Sequence, residues 1–117
     1  FIKGGSTFKE VVDQVKEKAE GKECVMVNLD SDHSALHVAR ELELYHPFVT
    51  KGSYLIVEDT IINHPIRILH TNGSPCADSP WEAVHELLAK HPEFEIDYTK
   101  ERFQITSNPH GYLRRCA

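Results

Sequence analysis

Hydrophobic residues recur at helical spacing in three segments of the chain. The predicted helices are Thr7–Lys22, Ser34–Tyr45 and a segment that starts at Ser79. Each segment carries one apolar stripe, which is typical of a helix that packs one face on a core. "TFKE" at Thr7 and "SPWE" at Ser79 are capping-box patterns, which predict that these two residues are N-caps. In the second helix, Arg40, Glu41 and Glu43 fall on the predicted polar side.

Apolar runs of strand length lie between and after these helices. The predicted strands are Cys24–Leu29, Tyr54–Val57, Phe94–Tyr98 and Phe103–Ser107. The first two are nearly continuous, which favours parallel strands that are buried on both faces. The last two alternate and are separated by a short polar turn, which predicts an antiparallel hairpin. This order of elements indicates an α/β fold with parallel strands and a C-terminal antiparallel hairpin, and a long irregular loop over Thr60–Asp78.

The composition narrows the classes of protein to be considered. The chain has 117 residues, 40% hydrophobic and 26% charged, which fits a single globular domain over residues 1–117. A net charge of −5 argues against nucleic acid as a partner, and the apolar runs are too short to span a membrane. Cys24, Cys76 and Cys116 have no metal-binding spacing and leave one residue unpaired. We therefore expect a reducing compartment, the cytoplasm.

Acidic residues follow both predicted parallel strands. Asp30 comes directly after the first strand, and Glu58 and Asp59 come directly after the second. Parallel strands end at one edge of a sheet, so these carboxylates are expected to converge there. Their mutual repulsion is relieved by a divalent cation, and all-oxygen ligands suit Mg²⁺ or Ca²⁺ better than zinc. Asp32 is a second candidate ligand, and His33 is a candidate general base.

The same residues permit other interpretations. Asp30 and Asp32 also suit a helix cap, and Glu58 and Asp59 also suit the start of a polar loop. "LDSD" fits the Asp-x-Asp of metal-dependent glycosyltransferases and the leading Asp of phosphatases that form an aspartyl-phosphate. His64, His70 and His110 are expected to be exposed loop residues, and Trp81 is expected to pack in the core.

Four segments together resemble a known family. In their order and separations, "VMVNLDSDHS", "GSYLIVEDT", "PWEAVHELL" and "NPHGYLRR" closely resemble the cephalosporin hydroxylase family. Its members look like S-adenosylmethionine-dependent O-methyltransferases and include rhamnosyl O-methyltransferases. The resemblance covers essentially the whole chain.

The resemblance implies the C-terminal half of a Rossmann-like class I methyltransferase fold. It implies a Mg²⁺ ion on Asp30, Glu58 and Asp59, with methyl transfer from S-adenosylmethionine to a hydroxyl of a small molecule or sugar. His33 would take or relay the proton. The glycine-rich turn and the acidic residue that hold the cofactor in the family are expected upstream of Phe1, so the chain is expected to be a partial domain without the N-terminal cofactor-binding half. Catalysis then depends on that half.

Two rival functions stay open at this point. One is a non-catalytic half-domain that forms a homo-oligomer through an uncovered sheet edge. The other is an Asp-x-Asp metal-dependent glycosyltransferase.

Overall fold

The computed structural model describes residues 1–63, 78–104 and 106–117. The helices are α1 (Lys9–Ala19), α2 (Ala35–Tyr45) and α3 (Pro80–Lys90). The strands are β1 (Val27–Leu29), β2 (Tyr54–Val57), β3 (Phe94–Ile96) and β4 (Tyr112–Arg115). Short 3-10 turns occupy His46–Phe48, Thr60–Asn63, Tyr98–Lys100 and Arg102–Gln104. The predicted α/β class is confirmed, and most of the predicted Thr60–Asp78 loop lies outside the described residues.

The described strands form one mixed sheet in the order β1-β2-β4-β3. β1 and β2 are parallel, as predicted, and Leu29 is paired with Val57 at their carboxyl ends. β4 is antiparallel to both of its neighbours, so β3 runs in the same direction as β1 and β2. The sheet therefore has three strands in one direction and one reversed strand between two of them.

The predicted hairpin of Phe94–Tyr98 with Phe103–Ser107 is wrong in its second strand. Arg102–Gln104 forms a 3-10 turn, in which Phe103 has φ of 60° and a side chain that is 90% exposed. A positive φ is incompatible with extended pairing. The antiparallel partner of β3 is β4 instead, where Leu113 is fully buried and the Arg115 guanidinium donates to the Val49 carbonyl at 2.6 Å.

The helix starts agree only partly with the predicted caps. α1 begins after Phe8, not Thr7, and the Phe8 carbonyl accepts from the N–H groups of Val11 and Val12. The N-cap of α3 is Ser79, as predicted, and its hydroxyl contacts the Glu82 carboxylate. The capping-box pattern therefore located one helix start of two.

One continuous core joins the helices to the sheet. Its buried residues come from α2, α3, all four strands and the residue after the first 3-10 turn: Leu29, Val38, Leu42, Tyr45, Val49, Leu55, Val57, Ala83, Val84, Leu87, Phe94 and Leu113. β2 alternates between buried Leu55 and Val57 and half-buried Tyr54 and Ile56, so burial on both faces was a wrong prediction. No described helix has the length and apolar character needed to cross a membrane.

Candidate metal centre

The carboxyl ends of β1 and β2 bring two acidic loops together. The register aligns Leu29 with Val57, and the Glu58 N–H donates to the Leu29 carbonyl at 3.0 Å. The acidic residues that follow these strands, Asp30 after β1 and Glu58 with Asp59 after β2, therefore leave the sheet side by side. This is the edge at which ligands bind in open α/β sheets.

Asp30, His33 and Asp59 form a cluster at this edge. His33 Nε2 lies 3.7 Å from Asp30 Oδ1 and 3.3 Å from Asp59 Oδ2. One ligand atom from each of the three residues lies within 4.8 Å of the other two. The side chains are 58%, 40% and 36% exposed in chain order, so the cluster is open to solvent and to a substrate.

Asp59 has an unusual backbone conformation for a residue with a side chain. Its φ is 56°, and its N–H donates to Asn108 Oδ1 at 2.9 Å. The next residue, Thr60, is fully buried and donates its hydroxyl to the Pro109 carbonyl at 2.6 Å. Asp and Asn tolerate the left-handed region better than other side-chain-bearing residues, and such strain concentrates at functional sites. The segment before β4 thus holds the backbone that carries Asp59.

The other two candidate ligands are held outside this cluster. Glu58 Oε1 accepts from Asn28 Nδ2 at 2.9 Å, across the β1–β2 pair. Asp32 Oδ1 accepts from the hydroxyl and the N–H of Ser34, and these bonds lower the pKa of the Asp32 carboxyl. The structure therefore brings together Asp30 and Asp59 but leaves Glu58 and Asp32 with other partners.

Ser34 is the N-cap residue of α2, but its side chain bonds Asp32 and caps no helical N–H. The Ala35 N–H donates instead to Asp78 Oδ1 at 2.6 Å. A residue from the start of α3 therefore stabilises the start of α2, beside the cluster. A contact between residues so distant in sequence leaves no local signal.

Glu41 is a supporting residue that the sequence analysis placed wrongly on the polar side of α2. It is 1% exposed, and its Oε1 accepts from the Ser31 hydroxyl at 2.7 Å and lies 3.4 Å from His37 Nε2. Its Oε2 has no hydrogen-bond partner among the described residues. The helical pattern does contain a signal for this burial. Position 41 is three residues after Val38 and therefore lies only about 60° from it around the helix axis. Glu41 thus ties α2 to the loop that carries Asp30 and His33.

We expect Ser31→Ala to lower the free energy of unfolding by about 1–3 kcal/mol. The substitution removes the closest partner of the buried Glu41 carboxylate and leaves it with His37 alone. The measurement is the urea midpoint followed by circular dichroism. Ser107→Ala, at an exposed position, is the control and should change the free energy by less than about 0.5 kcal/mol. Equal midpoints for the two variants would show that Ser31 does not support Glu41.

Aromatic residues pack beside the segment that holds Asp59. The His110 ring lies 4.5 Å from Trp81 and 5.3 Å from Tyr98, measured between centroids. His110 Nδ1 is 3.2 Å from His85 Nε2, and burial lowers the pKa of His85. His110 lies in a turn before β4, as predicted, but it is half-buried in a ring cluster rather than exposed. His64, His70 and Cys76 lie outside the described residues.

Comparison with known proteins identifies relatives that match almost the whole chain. A family model described as rhamnosyl O-methyltransferase/CmcI matches residues 1–116. Rhamnosyl O-methyltransferase of Mycobacterium tuberculosis (strain ATCC 25618 / H37Rv) is 35% identical over 121 residues, which cover 98% of this chain and 46% of that protein. The protein of the same name from Mycobacterium leprae (strain TN) is 34% identical, with 98% and 49% covered. The chain thus spans about half the length of these curated relatives. No solved structure matches it.

Proposed function

Because the chain belongs to the rhamnosyl O-methyltransferase/CmcI family, we propose that it forms the metal- and acceptor-binding half of an O-methyltransferase domain. The methyl donor would be S-adenosylmethionine, and the acceptor would be a hydroxyl of a small molecule or sugar. The names of the relatives make a rhamnosyl group the first acceptor to test. The observation that carries this proposal is the convergence of Asp30 and Asp59 on His33.

The donor atoms of the cluster fit Mg²⁺. Magnesium is usually held by one or two carboxylates and keeps several positions for water and substrate oxygens. Asp30 and Asp59 supply two carboxylates that share a ligand-sized space and stay accessible to solvent. Glu58 would join as a third ligand if its carboxylate exchanged Asn28 for the cation.

Each residue of the cluster has a task in methyl transfer. S-adenosylmethionine would supply the methyl group, and Mg²⁺ would lower the pKa of the acceptor hydroxyl. Asp30 and Asp59 would hold the cation at the end of the strands. His33 Nε2, which faces the same point, accepts the proton that the hydroxyl loses as its oxygen takes the methyl group.

The sheet order supports the assignment to half of a larger domain. The reversed β4 lies between β2 and β3, as expected for the C-terminal half of a Rossmann-like sheet with an antiparallel last strand. β3 and β1 are the two edge strands of the described sheet. β1 lies beside an open groove whose lining includes Met26, Leu29 and Tyr45. We propose that further strands, belonging to the cofactor-binding half, continue the sheet from β1.

The rival functions have less support. The Asp-x-Asp interpretation needs Asp30 and Asp32 on one cation, whereas Asp32 is held by Ser34. Self-association through the β1 edge would satisfy the same edge groups with a second copy of the chain. Sedimentation tests self-association. If the 117-residue chain and the complete gene product both sediment as dimers, a self-associating half-domain is favoured.

The test of the function is a transfer assay with the complete gene product. Methyl-labelled S-adenosylmethionine is incubated with a rhamnoside and MgCl₂, and label in the sugar is measured. We expect transfer that a chelator abolishes and that added Mg²⁺ restores. A protein that binds S-adenosylmethionine and Mg²⁺ but labels no hydroxylated acceptor would contradict the proposal.

A further inference from the structure

A second cluster of metal-binding side chains lies at the opposite ends of α2 and α3 from the candidate metal centre. Glu43 is in the last turn of α2, His46 follows that helix, and His91 follows α3. One ligand atom from each lies within 4.8 Å of the other two. The eleven residues of α2, at 1.5 Å each, put about 16 Å of helix between this cluster and the Asp30 loop.

The geometry at His91 is that of an oriented metal ligand. Its Nδ1 lies 3.2 Å from Glu93 Oε1, and its Nε2 lies 3.9 Å from Glu43 Oε2. The second distance is too long for a hydrogen bond, but it is close to the separation of about 3.3 Å between two tetrahedral zinc ligands with bonds of about 2.05 Å. Metal-bound histidines commonly donate their other ring N–H to a carboxylate, the position that Glu93 occupies here.

His46 supplies an independent observation. Its Nδ1 is buried and has no hydrogen-bond partner in the described part of the chain. The rings of His46 and His91 lie 4.0 Å apart between centroids, tilted by 49°. Buried polar atoms without partners are rare in folded proteins. His46 therefore has ligand capacity that these contacts do not use.

We propose that Glu43, His46 and His91 bind a zinc-class divalent cation, with Glu93 orienting His91. Two imidazoles and one carboxylate favour Zn²⁺ over Mg²⁺ or Ca²⁺, which prefer oxygen ligands. Glu43 Oε1 lies 3.6 Å from Lys90 Nζ. The other carboxylate oxygen, Oε2, is the one that would bind the metal. The ion would join the C-terminal ends of α2 and α3, so its role is to stabilise their packing rather than to take part in methyl transfer.

The test is a titration of the tag-free chain with Zn²⁺ against a chromophoric chelator. We expect one Zn²⁺ per chain at this site and at least a tenfold loss of affinity in His91→Gln and Glu43→Gln, since even outer partners of a metal site contribute about tenfold or more. His85→Gln, which changes a histidine of α3 outside the cluster, should bind like the wild type. Zn²⁺ should raise the thermal midpoint of the wild type and of His85→Gln but not of His91→Gln.

Two further outcomes keep the proposal falsifiable. Asp30→Asn should leave this binding unchanged, and loss of Zn²⁺ binding in that variant would assign the ion to the candidate metal centre instead. If His91→Gln fails to fold, nitrogen NMR of the wild-type histidines decides. Ring signals of His46 and His91 that do not move on Zn²⁺ addition would overturn the proposal.

Discussion

Asp59→Asn is expected to lower the methyl-transfer rate of the complete gene product by roughly 100-fold or more. The substitution removes one of two converging carboxylates and hence much of the cation affinity. A metal ion contributes several kcal/mol to such reactions, and about 1.4 kcal/mol corresponds to tenfold in rate. Asn suits the φ of 56° and preserves the N–H bond to Asn108, so the fold should be retained. The measurement is the initial rate as a function of Mg²⁺ concentration.

Matched variants make this result interpretable. Asp13→Asn removes a carboxylate from α1, where it pairs with Lys9, and should leave the rate unchanged. Asp30→Asn should behave like Asp59→Asn. Glu58→Gln tests whether Glu58 exchanges its bond with Asn28 for the cation. The rate should fall in this variant only if Glu58 is a ligand. Wild-type rates and Mg²⁺ dependence in both Asp30→Asn and Asp59→Asn would refute the proposed ligands.

Gly111→Ala is expected to lower the free energy of unfolding by about 3 kcal/mol, the upper end of the usual cost of overpacking. A Cβ at this position would lie 2.2 Å from the Val57 carbonyl oxygen, and a backbone atom cannot move aside as a flexible side chain can. Gly111 and Val57 also share a hydrogen bond of 2.9 Å, at the point where β2 meets the start of β4. The loss should appear as a lower urea midpoint, together with weaker Mg²⁺ binding because Asp59 follows Val57 by two residues.

Gly5→Ala is the control for this substitution. The nearest atoms to its added Cβ are those of the Phe8 ring at 3.3 Å, on a side chain that is 61% exposed and free to shift. We expect a change below about 0.5 kcal/mol. An unfolding midpoint for Gly111→Ala as high as that of Gly5→Ala would mean that β2 and β4 separate there at little cost.

Local pattern predicted those elements whose partners are near in sequence. α2, β2 and the start of α3 lie within a residue or two of their predicted bounds, because their apolar spacing and flanking residues act over one or two turns. The hairpin failed because "FQITS" alternates as a strand should, whereas "YLRR" has two arginines and looks like a solvated tail. Arg115 is accommodated by the Val49 carbonyl and the Phe94 ring, contacts that depend on the finished fold.

The candidate site was predictable to the same extent. The strand-end argument placed Asp30 and Asp59 at one edge, and the structure has them there with His33. It treated Glu58 and Asp59 alike, although period-two alternation directs Glu58 to the face of Asn28. The positive φ at Asp59 then ends that alternation, and it depends on Asn108 from a distant loop. The sequence alone has no signal for that contact.

The position of β4 between β2 and β3 determines when the fold can be completed. Among the described residues β2 and β3 share no backbone ladder, so the sheet connects them through Tyr112–Arg115. Before β4 pairs, the β1–β2 pair and β3 therefore each keep open hydrogen-bonding groups. Closing such long-range pairs is slow, and partly folded chains with open strand edges are prone to aggregate. Pairing of β4 with both neighbours is thus the step that completes the described sheet.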